Sequence, residues 1–192
     1  MHALEPPRLT DGVIALRALE ERDIPAIVAA CRDPEIPRWT RVPSPYTTDD
    51  AHTYLAIARA DAAVGVGLSL AIADAGDAFI GTIGLMDVDR GLGSGELGYW
   101  TAAPARGRGV TVRAIVLLRD WAARELGLTS LDILPHEDNM PSRIVAERAG
   151  FTWTGEHTTI TRMPPGRQRG YRVHRWRSGS PPATSPPRAA ST

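Results

Sequence analysis

The sequence predicts an α/β fold in which helices pack on a mixed β-sheet. Two observations lead to this prediction. Apolar residues recur at helical spacing after Gly109, and short segments of strand type, separated by glycine turns, alternate with helical segments along the chain. The chain has 192 residues and is 43% hydrophobic, which is enough for one sizeable core. We therefore expect one domain over residues 1–177.

The N-terminal half is predicted to hold three strands and two helices. Asp23 is a candidate N-cap for a first helix, and Thr47 or Thr48 is the candidate cap of a second. Four prolines between these helices indicate a loop. The predicted elements are a strand at 13–19, a helix at 23–31, a helix from 47 or 48 to about 59, and paired strands at 68–73 and 79–87.

The C-terminal half is predicted to hold one long helix among strands. After Gly109 the apolar positions follow the i, i+3, i+4, i+7 pattern of one helical face, with Val112, Ile115 and Val116 among them. Pro, Ser and Ala dominate residues 178–192, which we expect to be a disordered tail. The other predicted elements are strands at 96–101 and 131–134, a short helix at 142–149, and a final strand pair at 152–162 and 170–177.

Composition excludes several classes of protein. The formal net charge is zero, which counts against a nucleic-acid-binding surface. The single cysteine, Cys31, cannot form an internal disulfide and fits a reducing cytoplasm. No long apolar run indicates a membrane span, and no secretion signal is evident. We expect a cytoplasmic monomer or homodimer that binds neither nucleic acid nor membrane, and we predict no metal site.

A glycine-containing loop before the long helix is the most informative feature of the chain. Residues 106–109 read Arg-Gly-Arg-Gly and follow a predicted strand. The first N–H groups of a helix lack intrahelical partners, and the helix dipole is positive there. Glycines allow a ligand to approach the backbone, and arginines add charge. The segment therefore predicts a phosphate-binding site.

Two familiar phosphate motifs do not account for this loop. A Walker A motif needs a lysine, whereas all 22 basic residues of the chain are arginine. A G-x-G-x-x-G pattern occurs at residues 93–98, but it precedes a strand rather than a helix. We interpret that pattern as a hairpin turn.

The loop belongs to an ordered series of short motifs. In order, they are Glu-Leu-Gly-Tyr-Trp at 96–100, Pro104, Arg-Gly-Arg-Gly at 106–109, Leu-Gly-Leu at 126–128, Asn-Met-Pro-Ser at 139–142 and Ala-Gly-Phe at 149–151. This series resembles the GNAT superfamily of acyl-CoA-dependent N-acyltransferases, specifically its RimJ/RimL-like branch. The resemblance covers about residues 8–177.

The resemblance implies a fold and a co-substrate. The fold would be a mostly antiparallel sheet of about seven strands and about four helices, splayed at a central parallel pair. Acetyl-CoA would be the co-substrate, with its pantetheine arm hydrogen-bonded along the splayed strand. The backbone N–H groups near Trp100 or Thr101 would stabilise the oxyanion. Asn139 would contact pantetheine or its own turn. The residues expected to hold CoA are Trp100, Thr101, Arg106, Gly107, Arg108, Gly109, Val110, Asn139 and Ser142.

The resemblance also implies a direct attack of a primary amine on the thioester. Glu96 is the first candidate for the base, because it matches the acid of the family motif and partial burial would raise its pKa. His136 and Glu137 are alternatives. Ser142 is the candidate acid for the leaving thiolate, although it would also serve as a helix N-cap, and Tyr99 is the fallback acid. Some relatives carry a second acidic residue in the strand after Gly-Phe, and in this chain only Glu156 lies near that position.

The identity of the amine stays open at the level of sequence. The loops at 38–46 and 163–168 would cover the amine side, where Trp39, Tyr46 and Trp153 could line a pocket. Arg38 and Arg41 would suit an acidic acceptor or a succinyl-type donor. A protein N-terminus, a polyamine, an amino acid and an aminoglycoside-like amine all remain candidates. The alternative function is a CoA-binding regulatory or sensor module without turnover, which Thr161 supports because some relatives have an acid there.

Overall fold

The computed structural model describes residues 3–163 and 167–179 of the chain. This part of the chain contains eight strands and five α-helices. The strands are β1 (Leu9–Thr10), β2 (Ile14–Ala18), β3 (Leu68–Asp74), β4 (Phe79–Asp89), β5 (Ser94–Thr101), β6 (Ser130–Ile133), β7 (Thr152–Thr158) and β8 (Tyr171–Arg177). The helices are α1 (Ile24–Cys31), α2 (Glu35–Trp39), α3 (Thr48–Val64), α4 (Val110–Leu126) and α5 (Met140–Arg148). Two short 3-10 turns cover Glu21–Asp23 and Ala103–Ala105.

All eight strands belong to one sheet in the order β1-β2-β3-β4-β5-β6-β8-β7. Neighbouring strands are antiparallel except β5 and β6, which are parallel. The predicted mixed, mostly antiparallel sheet is confirmed. The sequence predicted about seven strands and four helices; the two-residue β1 and the five-residue α2 account for the difference.

The parallel pair separates shortly after it forms. β5 and β6 are paired at three positions, the last of which joins Glu96 to Asp132. β6 ends at Ile133, whereas β5 continues to Thr101 while paired with β4 on its other side. The predicted splay is therefore present, and a gap opens beside the second half of β5.

Helices cover the two faces of the sheet, and each face has its own apolar core. We call the side with α4 and α5 the α4 face, and the side with α1, α2 and α3 the α3 face. Successive side chains of a strand point to opposite faces. On β5, Leu97 and Tyr99 pack into the core of the α4 face, whereas Trp100 packs into that of the α3 face.

The long helix α4 follows the predicted periodicity. It begins after Gly109, which has a φ of 74°, and ends at Gly127, with a φ of 69°. These left-handed conformations suit glycine, because a Cβ would be strained there. Its fully buried residues, at helical spacing, are Val110, Ala114, Ile115, Leu118 and Ala122.

The predicted cap of α3 is also confirmed. The Thr47 side chain accepts a hydrogen bond from the Asp50 N–H at 3.2 Å, and the Asp50 carboxylate accepts one from the Thr47 N–H at 2.8 Å. This reciprocal capping box satisfies two of the free donors at the helix start. The helix runs to Val64, five residues beyond the predicted end.

The sequence predicted that Asp23 caps α1, but its side chain makes no capping hydrogen bond. Its carboxylate instead accepts two hydrogen bonds from Arg17, at 2.8 and 2.9 Å, and one from the Glu20 N–H at 2.9 Å. Both members of this ion pair are buried, with side chains 4% and 3% exposed. A buried guanidinium holds the aspartate more strongly than a single N–H would.

Several predicted boundaries differ from the structure. The proline-rich loop contains α2, whose first turn follows Pro34 as its N-cap. α5 begins at Met140 rather than at residue 142, and β7 ends at Thr158 rather than at residue 162. Gly95 and Gly98 lie inside β5, so the hairpin turn is only residues 90–93. Of the predicted tail, residues 180–192 lie outside the described part of the chain.

Candidate active site

The predicted phosphate loop is exposed and open. Arg106, Gly107, Arg108 and Gly109 are all exposed, and both glycines have a positive φ, 73° and 74°. A Cβ built on either glycine would meet no atom within 4 Å. No side chain caps the N-terminus of α4. The first N–H groups of the helix therefore lie beside open space that an anion can enter.

The side chain of Arg106 fixes the loop rather than projecting from it. Its Nε donates to the Thr101 carbonyl at 3.0 Å, and its Nη1 lies 2.6 Å from the Asp33 carboxylate, just after α1. The hydroxyls of Thr101 and Thr111 lie 2.8 Å apart and share a hydrogen bond. These contacts hold the start of α4 against the end of β5. Arg108 is the exposed cation of the loop.

The backbone of β5 presents hydrogen-bonding groups to the gap. The Ala102 N–H donates to the Ile80 carbonyl at 2.9 Å, and antiparallel ladders alternate the direction of such bonds. The register pairs Trp100 with Thr82, so the Trp100 N–H is directed at β4. The N–H groups of Tyr99 and Thr101 are directed at the gap. Of the two predicted oxyanion donors, Thr101 has the geometry that faces the gap.

Tyr99 and Ser142 form a hydroxyl pair on the α4 face. The two hydroxyl oxygens are 3.0 Å apart, and the Tyr99 hydroxyl is 3.3 Å from the Ser142 carbonyl oxygen. Asn139 is the N-cap of α5: its side-chain oxygen accepts from the Ser142 N–H at 3.1 Å. Ser142 is thus not the cap, and its hydroxyl is bonded to Tyr99. Burial raises the pKa of Tyr99 to about 12, so its hydroxyl stays protonated at neutral pH.

Glu96 lies on the opposite face from that pair. It is the last β5 residue paired with β6, and its side chain points to the α3 face because Leu97 points to the α4 face. Its side chain is 19% exposed. Burial raises the pKa of its carboxyl above the usual value, and the Arg162 guanidinium, 3.7 Å away, opposes that rise. A raised pKa brings a carboxylate closer to the range of an effective base.

The alternative bases have other surroundings. The His136 ring contacts the rings of Trp39 and Tyr171, with centroids 5.8 and 5.4 Å apart. The Glu137 carboxylate lies 3.8 Å from the His157 ring nitrogen. Glu156 is exposed on β7, the edge strand of the sheet. Glu96 is therefore the candidate that lies at the opening of the gap.

The two loops predicted to cover the amine side contact each other. Arg167 donates to the carbonyl oxygens of Pro37 and Arg38, the latter at 2.9 Å. Trp39 donates to the Glu35 carboxylate at 2.9 Å, and Tyr46 packs in the core of the α3 face. These contacts place Arg167 and the 38–46 loop over the α3 face, on the same side as Glu96.

Trp153 is separated from these loops. It lies on edge strand β7, where the guanidinium of Arg172 is 3.6 Å from its ring centroid. Arg38 lies over the Trp39 ring and pairs with Glu35, and Arg41 contacts the Met86 sulfur at 3.1 Å. Of the three aromatic residues predicted to line a pocket, the structure brings Trp39 and Tyr46 to the α3 face.

Cys31 is a structural residue of the core. It is buried in the core of the α3 face, and burial raises the pKa of its thiol to about 12. A thiol is a weak nucleophile compared with a thiolate, so this cysteine is unreactive at neutral pH.

Two charged residues at the site escaped the sequence analysis. Arg162 pairs with Asp87 through two hydrogen bonds, at 3.0 and 2.6 Å, and reaches Glu96. Arg162 lies 75 residues from Asp87 in the sequence. Asp87 lies where the register of β4 against β5 shifts, and it has a positive φ of 49°. No sequence motif marks such a shift at an aspartate.

The described helices include none that is long and apolar enough to cross a membrane. Within residues 3–163 and 167–179, no group of three or more His, Cys, Asp or Glu side chains is arranged to hold a metal ion.

A sheet splayed beside an uncapped helix N-terminus is the arrangement expected of an acyl-CoA-dependent transferase, and the comparison with protein families agrees. Residues 14–152 match the family described as Acetyltransferase (GNAT) domain. The match covers well over half of the chain, and the protein belongs to the GNAT acetyltransferase family.

Individual relatives include a curated protein and solved structures. YdaF of Bacillus subtilis, named as a candidate ribosomal N-acetyltransferase, is 36% identical over 76 residues, which cover 40% of this chain and 42% of that protein. RimJ of Mycobacterium smegmatis, solved with CoA-disulfide, has a TM-score of 0.79 at 22% identity and covers 93% of this chain and 90% of its own. Spermidine N-acetyltransferase of Vibrio cholerae, solved with CoA and spermine, has a TM-score of 0.73 at 19% identity and covers 88% of this chain and 98% of its own.

Proposed function

We propose that the protein transfers an acetyl group from acetyl-CoA to a primary amine by direct attack in a ternary complex. One observation carries this proposal. The gap beside β5 has a carboxylate, Glu96, on one face of the sheet and the hydroxyl pair of Tyr99 and Ser142 on the other. A base for the amine and a proton donor for the thiolate are thus separated by the width of the sheet.

Acetyl-CoA would enter from the α4 face. The pyrophosphate would lie against the backbone N–H groups of residues 107–110, with Arg106 fixing the loop and Arg108 adding positive charge. The pantetheine arm would follow the free edge of β5 as an added strand would. The thioester carbonyl would then lie near the Thr101 N–H, which supports the developing oxyanion. Trp100 and Asn139 would flank this path.

The amine would approach from the α3 face. An alkylamine is largely protonated at neutral pH and cannot attack until it loses a proton. The Glu96 carboxylate would take that proton, directly or through one water. The nitrogen then bonds to the thioester carbon, and the carbon–sulfur bond breaks when the tetrahedral intermediate collapses.

The leaving thiolate needs a hydrogen bond or a proton. The Ser142 hydroxyl is the nearest candidate donor on the α4 face, and the Tyr99 hydroxyl, 3.0 Å away, can replace the proton that Ser142 gives. Burial raises the pKa of Tyr99 to about 12, so Tyr99 keeps its proton at neutral pH, and either hydroxyl of the pair can be the donor. The Asn139 cap fixes the start of α5 and hence the position of Ser142.

The acceptor is proposed as a protein N-terminus or a small-molecule amine. The relatives named above support both, because one is described as ribosomal and another as acting on spermidine. The fold is common to them, so the acceptor must be decided by the loops over the α3 face. We further propose that residues 1–177 form one catalytic domain, because a single sheet runs through them.

Acetyl-CoA turnover tests the proposal. Free-thiol release would be measured against a panel of N-terminal peptides, polyamines, amino acids and aminoglycosides, with the variants Glu96→Gln and Ser142→Ala. Ser130→Ala is a matched control for the serine, because Ser130 lies on β6 outside the site. Turnover on one acceptor class that only the site variants weaken supports the proposal. Tight CoA binding without thiol release on any acceptor contradicts it and favours a sensor.

A further inference from the structure

The Glu96 carboxylate has a cationic neighbour that comes from a distant part of the chain. Arg162 follows β7 and reaches back across the α3 face. Its guanidinium makes two hydrogen bonds with the Asp87 carboxylate, at 3.0 and 2.6 Å, and its Nη2 lies 3.7 Å from the Glu96 carboxylate. Two hydrogen bonds fix the plane of a guanidinium, so the position of the charge beside Glu96 is defined.

The backbone of β4 is shaped to provide this anchor. The register against β5 shifts between Met86 and Asp89, and Asp87 within that shift has a φ of 49°. A bulge redirects a side chain, and a non-glycine residue at positive φ is unfavourable unless its surroundings require it. The result at this bulge is a carboxylate that holds Arg162 beside Glu96.

The other charges near Glu96 are already engaged or more distant. Asp132, its partner on β6, accepts two hydrogen bonds from Arg175, both at 2.7 Å. Arg41, from the loop after α2, also lowers the pKa of Glu96, but its guanidinium makes its hydrogen bond to the Met86 sulfur, at 3.1 Å. The Asp87 carboxylate raises that pKa and Arg162 lowers it. Arg162 is the cation within ion-pair distance of Glu96 among the described residues.

We propose that Arg162 is a positioning residue of the acetyl transfer, which holds the Glu96 carboxylate ionised and directed at the gap between β5 and β6. This inference rests on the proposed function. Asp87 gives the arrangement a second property. When Glu96 takes the proton of the amine and loses its charge, Arg162 keeps its two hydrogen bonds to Asp87 and is not left unpaired.

The consequence is a specific pH dependence. The base acts only when ionised, so the rate falls as the pH drops through the pKa of Glu96. An opposite charge within about 4–6 Å lowers the pKa of a carboxyl by roughly one unit or more. Removing the charge of Arg162 leaves burial, Asp87 and Asp132 to raise that pKa, with only Arg41 opposing them. The acid limb of the pH profile moves to higher pH.

The test compares Arg162→Gln and Arg162→Lys with the native enzyme and with Arg169→Gln, an exposed arginine in the same connection between β7 and β8. For Arg162→Gln we expect the acid limb of the kcat/KM profile to move to higher pH by about one unit. At a given pH on that limb, the rate is then roughly tenfold lower. The rates converge at high pH, and the KM for acetyl-CoA is unchanged because CoA binds from the other face. Arg162→Lys restores part of the shift, and Arg169→Gln has none.

A direct titration separates this inference from the proposed function. The carboxyl carbon of Glu96 would be followed by NMR in protein labelled with ¹³C-glutamate, assigned by its loss in Glu96→Gln, with and without the Arg162→Gln change. A higher pKa in the variant supports the inference even if no acceptor turns over, in which case only the proposed function fails. An unchanged pKa, or a loss of rate that is equal at every pH and accompanied by a lower melting temperature, overturns it.

Discussion

Comparing Gly109→Ala with Gly127→Ala separates the stability lost to a strained backbone from the CoA affinity lost when the proposed phosphate site is blocked. Gly109 precedes α4 with a φ of 74°, and Gly127 follows the same helix with a φ of 69°. A Cβ at either position would meet nothing within 4 Å. The two substitutions are therefore matched in helix, conformation and available space, and they differ in that only Gly109 lies at the end proposed to bind CoA.

The structure sets the expected magnitudes. An alanine in the left-handed region costs roughly 1–2 kcal/mol, so both variants should lose that much stability. At about 2–4 °C per kcal/mol for a chain of this size, both melting temperatures fall by a few degrees. Only at Gly109 would the new methyl group lie where the pyrophosphate approaches the N–H groups. Losing one hydrogen bond to a charged group costs about 1.5–3 kcal/mol, or roughly 10- to 150-fold in the Kd for CoA.

Isothermal titration calorimetry with CoA and thermal melts of the two variants test this reasoning. We expect Gly109→Ala to bind CoA at least tenfold more weakly, and Gly127→Ala to match the native affinity at the same loss of stability. If the two variants bind CoA equally well, the loop does not hold the pyrophosphate. If Gly109→Ala alone loses stability, the two glycines are not equivalent and the comparison fails.

Three further predictions concern the base, the acid and the fold. Glu96→Gln should lower kcat roughly 100- to 10,000-fold in a thiol-release assay, with an unchanged KM for acetyl-CoA. Because burial raises the pKa of Glu96, the kcat/KM of the native enzyme should decline on acidification at a pH above the usual glutamate pKa of 4.5. Tyr99→Phe should lower kcat without changing the KM for the amine, and an effect on the amine KM alone would argue against its pairing with Ser142 in thiolate release. Asp23→Asn should cost about 1.5–3 kcal/mol in urea unfolding, since it removes the carboxylate that accepts two hydrogen bonds from the buried Arg17 and leaves Asp77 as the remaining carboxylate bonded to that guanidinium, whereas the exposed Asp61→Asn should cost little. Equal losses would show that the ion pair is not what matters.

The glycine-containing loop at 106–109 and the long helix were predictable from sequence because their signals are local. The apolar period of α4 and its flanking glycines define a helix by themselves, and the loop is contiguous with it. The same holds for Thr47, whose capping partner is three residues away. Signals of this kind depend on neighbours in the chain, so they survive without knowledge of the tertiary structure.

The features that could not be predicted from the sequence depend on contacts between distant segments. Asp23 has the sequence position of a helix cap, but the buried guanidinium of Arg17 binds its carboxylate instead. Arg162 and Asp87 are 75 residues apart in the sequence, and Asp87 lies at an irregularity in β4. Tertiary contacts that override local preference are expected at functional sites, where rules of local consistency are relaxed.

The proposed base and the proposed acid lie on opposite faces of the sheet, and direct attack between them requires that both substrates are bound when the acetyl group moves. Initial velocities measured with acetyl-CoA and amine varied together test this most directly. Intersecting double-reciprocal lines, with no acetylated enzyme detected by mass spectrometry after incubation with acetyl-CoA alone, are the predicted result. Parallel lines with an acetyl-enzyme would show that the protein itself carries the acetyl group, and would contradict direct attack across the gap.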